Sequence, residues 1–222
     1  MGTKLIDRRI PEYTRGEEVF SMVLSIVGGA LSVAVLIFCL IVALKNNNGY
    51  AVVSSAIYGA SLLILYSMSS VYHGLRKYIP KKVFQILNHC AIFMLIAGTY
   101  TVLLLGSVRQ INPVIAWTMF GIEWGIAAFA ITFTSVDLEK NRILSIVCYI
   151  FMGWAIVPIY KIAIDAISMD GFVLFISGIA LYTIALIAYM LEKRMKYLHC
   201  VFHILFLLGS AVQFFSVILY CL

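Results

Sequence analysis

His199 and His203 stand four residues apart in an apolar segment, YLHCVFHILFLLGSAVQFFSVILYCL, that runs from Tyr197 to Leu222. Imidazoles at i and i+4 project from one helix face, with Cβ atoms about 5–6 Å apart. Two imidazoles so placed can bind one cation, and a third from a neighbouring helix would leave one coordination position open. That is the ligand pattern of catalytic zinc. Zinc suits imidazole and needs no redox partner, which makes it the first choice of metal. His73 is the candidate third ligand. Ser69 lies four residues before it, on the same helix face, where it would orient a ligand or hold water. The bland alternative is that histidines near the ends of apolar segments hydrogen-bond to neighbours or face lipid headgroups, and that Ser69 is a small residue packing between helices.

Composition says what must position these residues. The 222-residue chain is 63% hydrophobic and 12% charged, with a mean hydropathy of +1.03. An average soluble domain has about 45–50% apolar and about 25% charged residues, so a soluble core cannot absorb this apolar surface. The chain reads as an all-α, polytopic membrane protein. A span needs about 20 apolar residues, and seven segments qualify: roughly 19–44, 51–72, 83–106, 112–134, 143–160, 171–191 and 197–221. They form a single seven-transmembrane-helix domain over 1–222, with 1–18 as a cytoplasmic tail. The first apolar run is far longer than the roughly 7–15 residues of a cleaved leader and reads as a span. The connections are KNNNGY, HGLRKYIPKK, SVRQI, SVDLEKNR, KIAIDAISMD and EKRMK. Cys39, Cys90, Cys148, Cys200 and Cys221 all fall in apolar runs without CxxC spacing, as small packing residues.

The net charge of +6 does not point to nucleic acid, because its placement follows the loops. Of the 16 Lys and Arg, 13 fall in the N-terminal tail and in the second, fourth and sixth connections, against Lys45, Arg109 and Lys161 on the other side. Such a split puts the N-terminus in the cytoplasm and, after seven spans, the C-terminus outside. His73, His89, His199 and His203 then share one level near the cytoplasmic face. Glu123 falls at the centre of the fourth span, where a charge costs at least several kcal/mol. It marks function or is simply protonated or paired, and it lies too deep to join the histidines. Gly121 and Gly125 beside it make a face suited to close helix packing.

SSVYH (Ser69 to His73), LNHCAIFMLIAGTYT (Leu87 to Thr101), Trp124-Gly125, Gly153-Trp154 and HCVFH (His199 to His203) carry a family resemblance over nearly the whole chain. Together they resemble the progestin and adiponectin receptor family in its bacterial branch, the haemolysin-III-like membrane proteins. The resemblance implies seven spans, a cytoplasmic N-terminus and zinc held by His73, His199 and His203, with Ser69 beside them. It also implies a multi-pass protein of the plasma membrane with membrane lipids as partners, and ceramidase-type hydrolysis of a lipid amide or ester. Cytolysis, from which the bacterial branch takes its name, finds little support in the sequence, which has no amphipathic insertion segment.

One departure bears on catalysis. Where the family usually has Asp at the start of span three, this chain has Asn88, which can hydrogen-bond water but cannot act as a carboxylate base. Asn88 and Ser69 would therefore position water or stabilise an oxyanion, and a non-catalytic binding protein with structural zinc is the alternative. Glu17 and Glu18 remain as partners for the site. Gln213 stands where the family often has histidine. A retinal protein would carry a lysine in its last span, and there is none.

Overall fold

The computed structural model describes residues 11, 13–192 and 195–222. Lys4, Arg8, Arg9, Lys193 and Arg194, which contribute to the charge asymmetry, lie outside the described residues. Within them the chain is helical throughout, with no strand among the described residues.

Helix α1 (Arg15–Lys45) starts at Thr14, whose hydroxyl accepts from the Glu17 amide while the Glu17 carboxylate accepts from the Thr14 amide. This reciprocal cap satisfies two of the amides a helix start leaves unpaired. The chain reverses through Asn47, at φ 52°, and Asn48 caps α2 (Gly49–Gly74) by accepting from the Ala51 amide. Helix α3 (Tyr78–Ile111) is α-helical to Thr101 and π-helical over Val102–Val108. Asn112 caps α4 (Pro113–Val136), with Pro113 in the first turn, where a missing amide hydrogen costs nothing. Helix α5 (Arg142–Gly153) leads through a 3₁₀ turn (Val157–Ile159) into α6 (Tyr160–Leu191). The last helix, α7 (Leu198–Cys221), ends in a π-helical turn over Val217–Cys221.

Six stretches are long and apolar enough to cross a membrane: α1, α2, α3, α4, the 50 residues Arg142–Leu191, and α7. This is a multi-pass membrane protein. The segment KIAIDAISMD, expected to be a polar connection, is instead helical up to a kink at Ser168, where φ is 62° and ψ 169°. Ser168 caps the stretch beyond the kink, its hydroxyl accepting from the Gly171 amide at 3.5 Å.

Helix α3 is the centre of the bundle and largely buried, whereas α1 and α4 turn most of their surface outward. With no hydrophobic gain from helices meeting in lipid, close approach of backbones and hydrogen bonds must hold the bundle. Gly28 of α1 lies against the Tyr66 ring of α2, and the Tyr66 hydroxyl pairs with Ser210 Oγ of α7 at 2.8 Å. Tyr100 ties α3 to the break after α5, donating to the Gly153 carbonyl at 2.7 Å and accepting from the Ile156 amide at 3.0 Å. Gly121 and Gly125, by contrast, pack against nothing: a Cβ at either would meet no atom within 4 Å. The close packing expected of that face does not occur among the described residues. All five cysteines are free.

Candidate metal centre

His73 sits in the last turn of α2, and His199 and His203 in the first two turns of α7. Their Nε2 atoms form a triangle with sides of 3.4 Å (His73–His199), 3.1 Å (His73–His203) and 3.2 Å (His199–His203). All three residues are buried. Four ligands placed tetrahedrally at zinc–nitrogen distances of about 2.05 Å would lie about 3.3 Å apart. The donor set therefore fits a small tetrahedral cation. Among the described residues these three form a group that could hold a metal ion.

The far side of each ring explains why three nitrogens face one another. His73 Nδ1 lies 2.8 Å from Glu18 Oε2, and His199 Nδ1 lies 2.8 Å from Glu192 Oε2. A carboxylate only accepts, so in both rings Nδ1 carries the hydrogen and Nε2 presents its lone pair inward. Lone pairs converging in a buried place repel unless a cation or a proton lies among them. Carboxylates bonded to ligand imidazoles are the usual outer support of a metal site, fixing ring orientation and raising basicity.

Further contacts hold those carboxylates. Glu18 Oε1 also pairs with Lys81 Nζ. Glu192 Oε2 also accepts from the Tyr13 hydroxyl at 3.0 Å, and the Tyr13 ring stacks on His199 with centroids 4.0 Å apart. Burial and the nearby Glu192 charge push the Tyr13 phenol far above its ordinary range, so it stays a donor. Glu17 takes a different part. Its Oε1 accepts from the backbone amide of Tyr197, a residue at φ 64° that launches α7, so α1 braces the turn carrying the two histidines.

The three histidines form one end of a cavity whose walls are mostly apolar, with Ile92, Leu95, Ile96, Leu186 and Phe206 among them. Asn88 lines it too, and its Oδ1 is buried without a hydrogen-bond partner among the described residues. Tyr72, whose ring lies 4.6 Å from that of His73, lines the same cavity with its hydroxyl equally unpartnered. His89 lines the cavity as well, but it is tied to the Gln85 carbonyl and the Tyr189 hydroxyl and stands apart from the three-histidine cluster. Ser69 is not among the lining residues: its hydroxyl pairs with Ser25 of α1 at 2.8 Å. Glu123 is 1% exposed, with both carboxylate oxygens unpartnered among the described residues, and it does not line the cavity.

The model of the haemolysin-III-related family matches residues 13–214, which include every residue of the cluster. The chain belongs to the haemolysin-III family. Among its relatives is Hemolysin-3 of Bacillus cereus, 36% identical over 206 residues that cover 93% of this chain and 92% of that protein. The Hemolysin-3 homolog of Bacillus subtilis (strain 168) is 33% identical over 209 residues, covering 94% and 96%. No solved structure matches the chain.

For this haemolysin-III family member, sequence reasoning found the three histidines and named Glu17 and Glu18 as partners, of which Glu18 bonds His73 and Glu17 the Tyr197 amide. It missed Glu192, Tyr13 and Tyr72. Glu192 opens EKRMK, which reads as a basic topological loop, and Tyr13 lies in a polar tail. Only the tertiary fold brings them to His199. Tyr72 was within reach, because it adjoins His73 in a helix that turns its polar side inward.

Proposed function

We propose that this chain is a zinc-dependent hydrolase of lipid amides or esters, working inside the membrane near its cytoplasmic face. The observation that carries this reading is the convergence of three imidazole nitrogens at one end of an apolar cavity. His73, His199 and His203 would hold Zn²⁺, which when bound supplies a Lewis acid for a carbonyl and acidifies water.

The protein's own groups do the rest. Glu18 and Glu192 hold two of the imidazoles in the tautomer that presents Nε2, with Tyr13 steadying Glu192. Among the described residues the Tyr72 hydroxyl and Asn88 Oδ1 are unpartnered at the same end, so the hydroxyl is free to donate to the carbonyl oxygen and Oδ1 to accept from an attacking water. The apolar walls take up the acyl chain and exclude bulk water, which strengthens these polar contacts. Ser69 supports the site only indirectly, by joining α2 to α1.

The membrane arrangement completes the reading. At 1.5 Å per residue, Arg142–Leu191 would span about 75 Å as one helix, against a hydrocarbon core of about 30 Å. Broken after Gly153 and kinked at Ser168, it serves as two spans, for seven in all. The Lys and Arg distribution then puts the N-terminus in the cytoplasm and the C-terminus outside, in the plasma membrane.

The test is elemental analysis of the purified protein beside a His199→Ala, His203→Ala variant, with fatty-acid release from an acyl amide measured before and after chelation. Zinc near one per chain, lost in the variant, and release that chelation stops are the expected results. Equal zinc in both proteins refutes the metal site, and release that survives chelation refutes its catalytic role.

A second reading, a lipid-binding protein with structural zinc, is favoured by one observation. No carboxylate is among the described residues lining the cavity, so none of them can serve there as a carboxylate base. Asn88→Asp separates the two. A gain of turnover in the variant supports a hydrolase short of its base, and zinc retained with no turnover supports the binding protein.

A further inference from the structure

The cavity has a second polar end. Gln213 lies on α7 ten residues beyond His203, a separation of about 15 Å along the helix axis. It lines the same cavity, is 2% exposed, and its Oε1 has no hydrogen-bond partner among the described residues. The side chain is pinned from behind: a Cβ on Gly178 of α6 would lie 2.8 Å from Gln213 Oε1 and 2.9 Å from its Cδ. Glycine at 178 is what lets the amide sit there.

The polar neighbours at that end are already satisfied. The Tyr182 hydroxyl pairs with Ser210 Oγ at 2.9 Å, and the Trp154 indole donates to Thr183 Oγ1 at 3.2 Å. Thr183 and Thr99 donate back to the carbonyls of Ile179 and Leu95, and Tyr100 both donates and accepts. An unmet buried polar atom costs about 1–3 kcal/mol. Its retention at the far end of an otherwise apolar channel calls for a partner that arrives with the ligand.

We propose that Gln213 recognises a hydroxyl on the acyl chain of the lipid, placed about 15 Å from the carbonyl end. The cavity then takes a chain with polar groups at both ends and an apolar middle. A primary amide offers both donors and an acceptor, and a hydroxyl both donates and accepts. The pair is therefore matched whichever way the amide is turned. A plain alkyl chain leaves Gln213, at 2% exposure, without a partner, and a site built to bond a hydroxyl discriminates against the analogue lacking it. This inference rests on the reading that the cavity takes a lipid chain, and it names the class of lipid.

The test compares binding of ω-hydroxydodecanoate, dodecanoate and 6-hydroxydodecanoate to the full-length purified protein in one detergent, by calorimetry. All three probes carry the same carboxylate, so the contribution of the histidine end largely cancels, and none is hydrolysed. The ω-hydroxy acid is expected to bind roughly three- to tenfold more tightly than dodecanoate, the gain of one buried hydrogen bond. The 6-hydroxy acid, with its hydroxyl against the apolar middle of the cavity, gains nothing. In Gln213→Met, similar in volume but apolar, the ω-hydroxy preference disappears and dodecanoate binds at least as well as to the wild type. Equal binding of the three probes by the wild type overturns the proposal, as when water already satisfies the amide. So does absence of saturable binding, or a preference that persists in Gln213→Met. A protein without zinc or turnover that still prefers the ω-hydroxy acid sinks the hydrolase and leaves this inference standing, so the two fail separately.

Discussion

Removal of the carboxylates behind the imidazoles gives the sharpest test of the metal centre, because the structure ranks the two outcomes. Glu192→Ala takes the acceptor from His199 Nδ1 and from the Tyr13 hydroxyl at once. The Glu192 side chain is only 4% exposed, so water cannot readily replace it. Glu18→Ala takes the acceptor from His73 and from the Lys81 ammonium, at a side chain that is 17% exposed and whose charge Lys81 already shares. Loss of such a supporting group costs about 10–100-fold in metal affinity. Glu192→Ala belongs at the upper end, about 100-fold or about 2.7 kcal/mol. Glu18→Ala belongs nearer tenfold, about 1.4 kcal/mol, since water can satisfy the His73 Nδ1 hydrogen. The assay is zinc content of the detergent-solubilised protein titrated against a competing chelator, wild type beside each variant. Unchanged affinity in Glu192→Ala would refute the argument that the carboxylate fixes the ligand tautomer. A larger loss in Glu18→Ala would refute the burial argument that ranks the two.

Ser69→Ala is expected to leave zinc stoichiometry unchanged and to cost only the bond to Ser25, about 0.5–1.5 kcal/mol, read as a lower thermal midpoint in detergent. Gly28→Ala drives a methyl group into the Tyr66 ring and should destabilise by about 1–3 kcal/mol. Gly121→Ala, which meets nothing, should leave the same midpoint unmoved. Zinc on this cluster would be bound by neutral imidazoles, so protons would compete as pH falls. Retention measured by dialysis at stepped pH should be complete well above the ordinary histidine pKa of about 6.5 and lost progressively below it. Retention that does not vary down to pH 4 would mean the imidazoles are not the ligands.

What the sequence discloses and what it hides divide along physical lines. Apolar length alone announces α1 to α4 and α7, because a chain this poor in charge has few other places to go. The i, i+4 spacing aims His199 and His203 at one point, and the charge asymmetry puts His73 at their level, so the ligand set is legible from local rules. The carboxylates are less so. Glu17 and Glu18 are adjacent and look interchangeable, yet they lie about 100° apart around α1, so one reaches His73 and the other the Tyr197 amide. Glu192 and Tyr13 meet across 179 residues of chain, a contact no periodicity encodes. Ser168 adopts a left-handed φ without glycine, and the π-helical turns shift register without any marker residue. Gly121 and Gly125 mislead in the opposite direction, since small residues in a span can face a helix or lipid, and these face outward.

The geometry of the histidine triangle also bears on how the bundle holds together. His73 and His199 are 126 residues apart, and their helices, α2 and α7, are not closely packed along their backbones. Besides the imidazoles, the Tyr66–Ser210 hydroxyl pair and the edge contact between the Tyr66 and Phe206 rings join them. Helices already inserted in lipid gain no hydrophobic free energy by meeting, so a single strong tie counts for more there than in water. A cation on the three nitrogens would act as a clasp, fastening the early half of the chain to its last helix and closing the ring of helices around α3. Its binding free energy would then be assembly free energy. Chelation would loosen the barrel as well as empty the site.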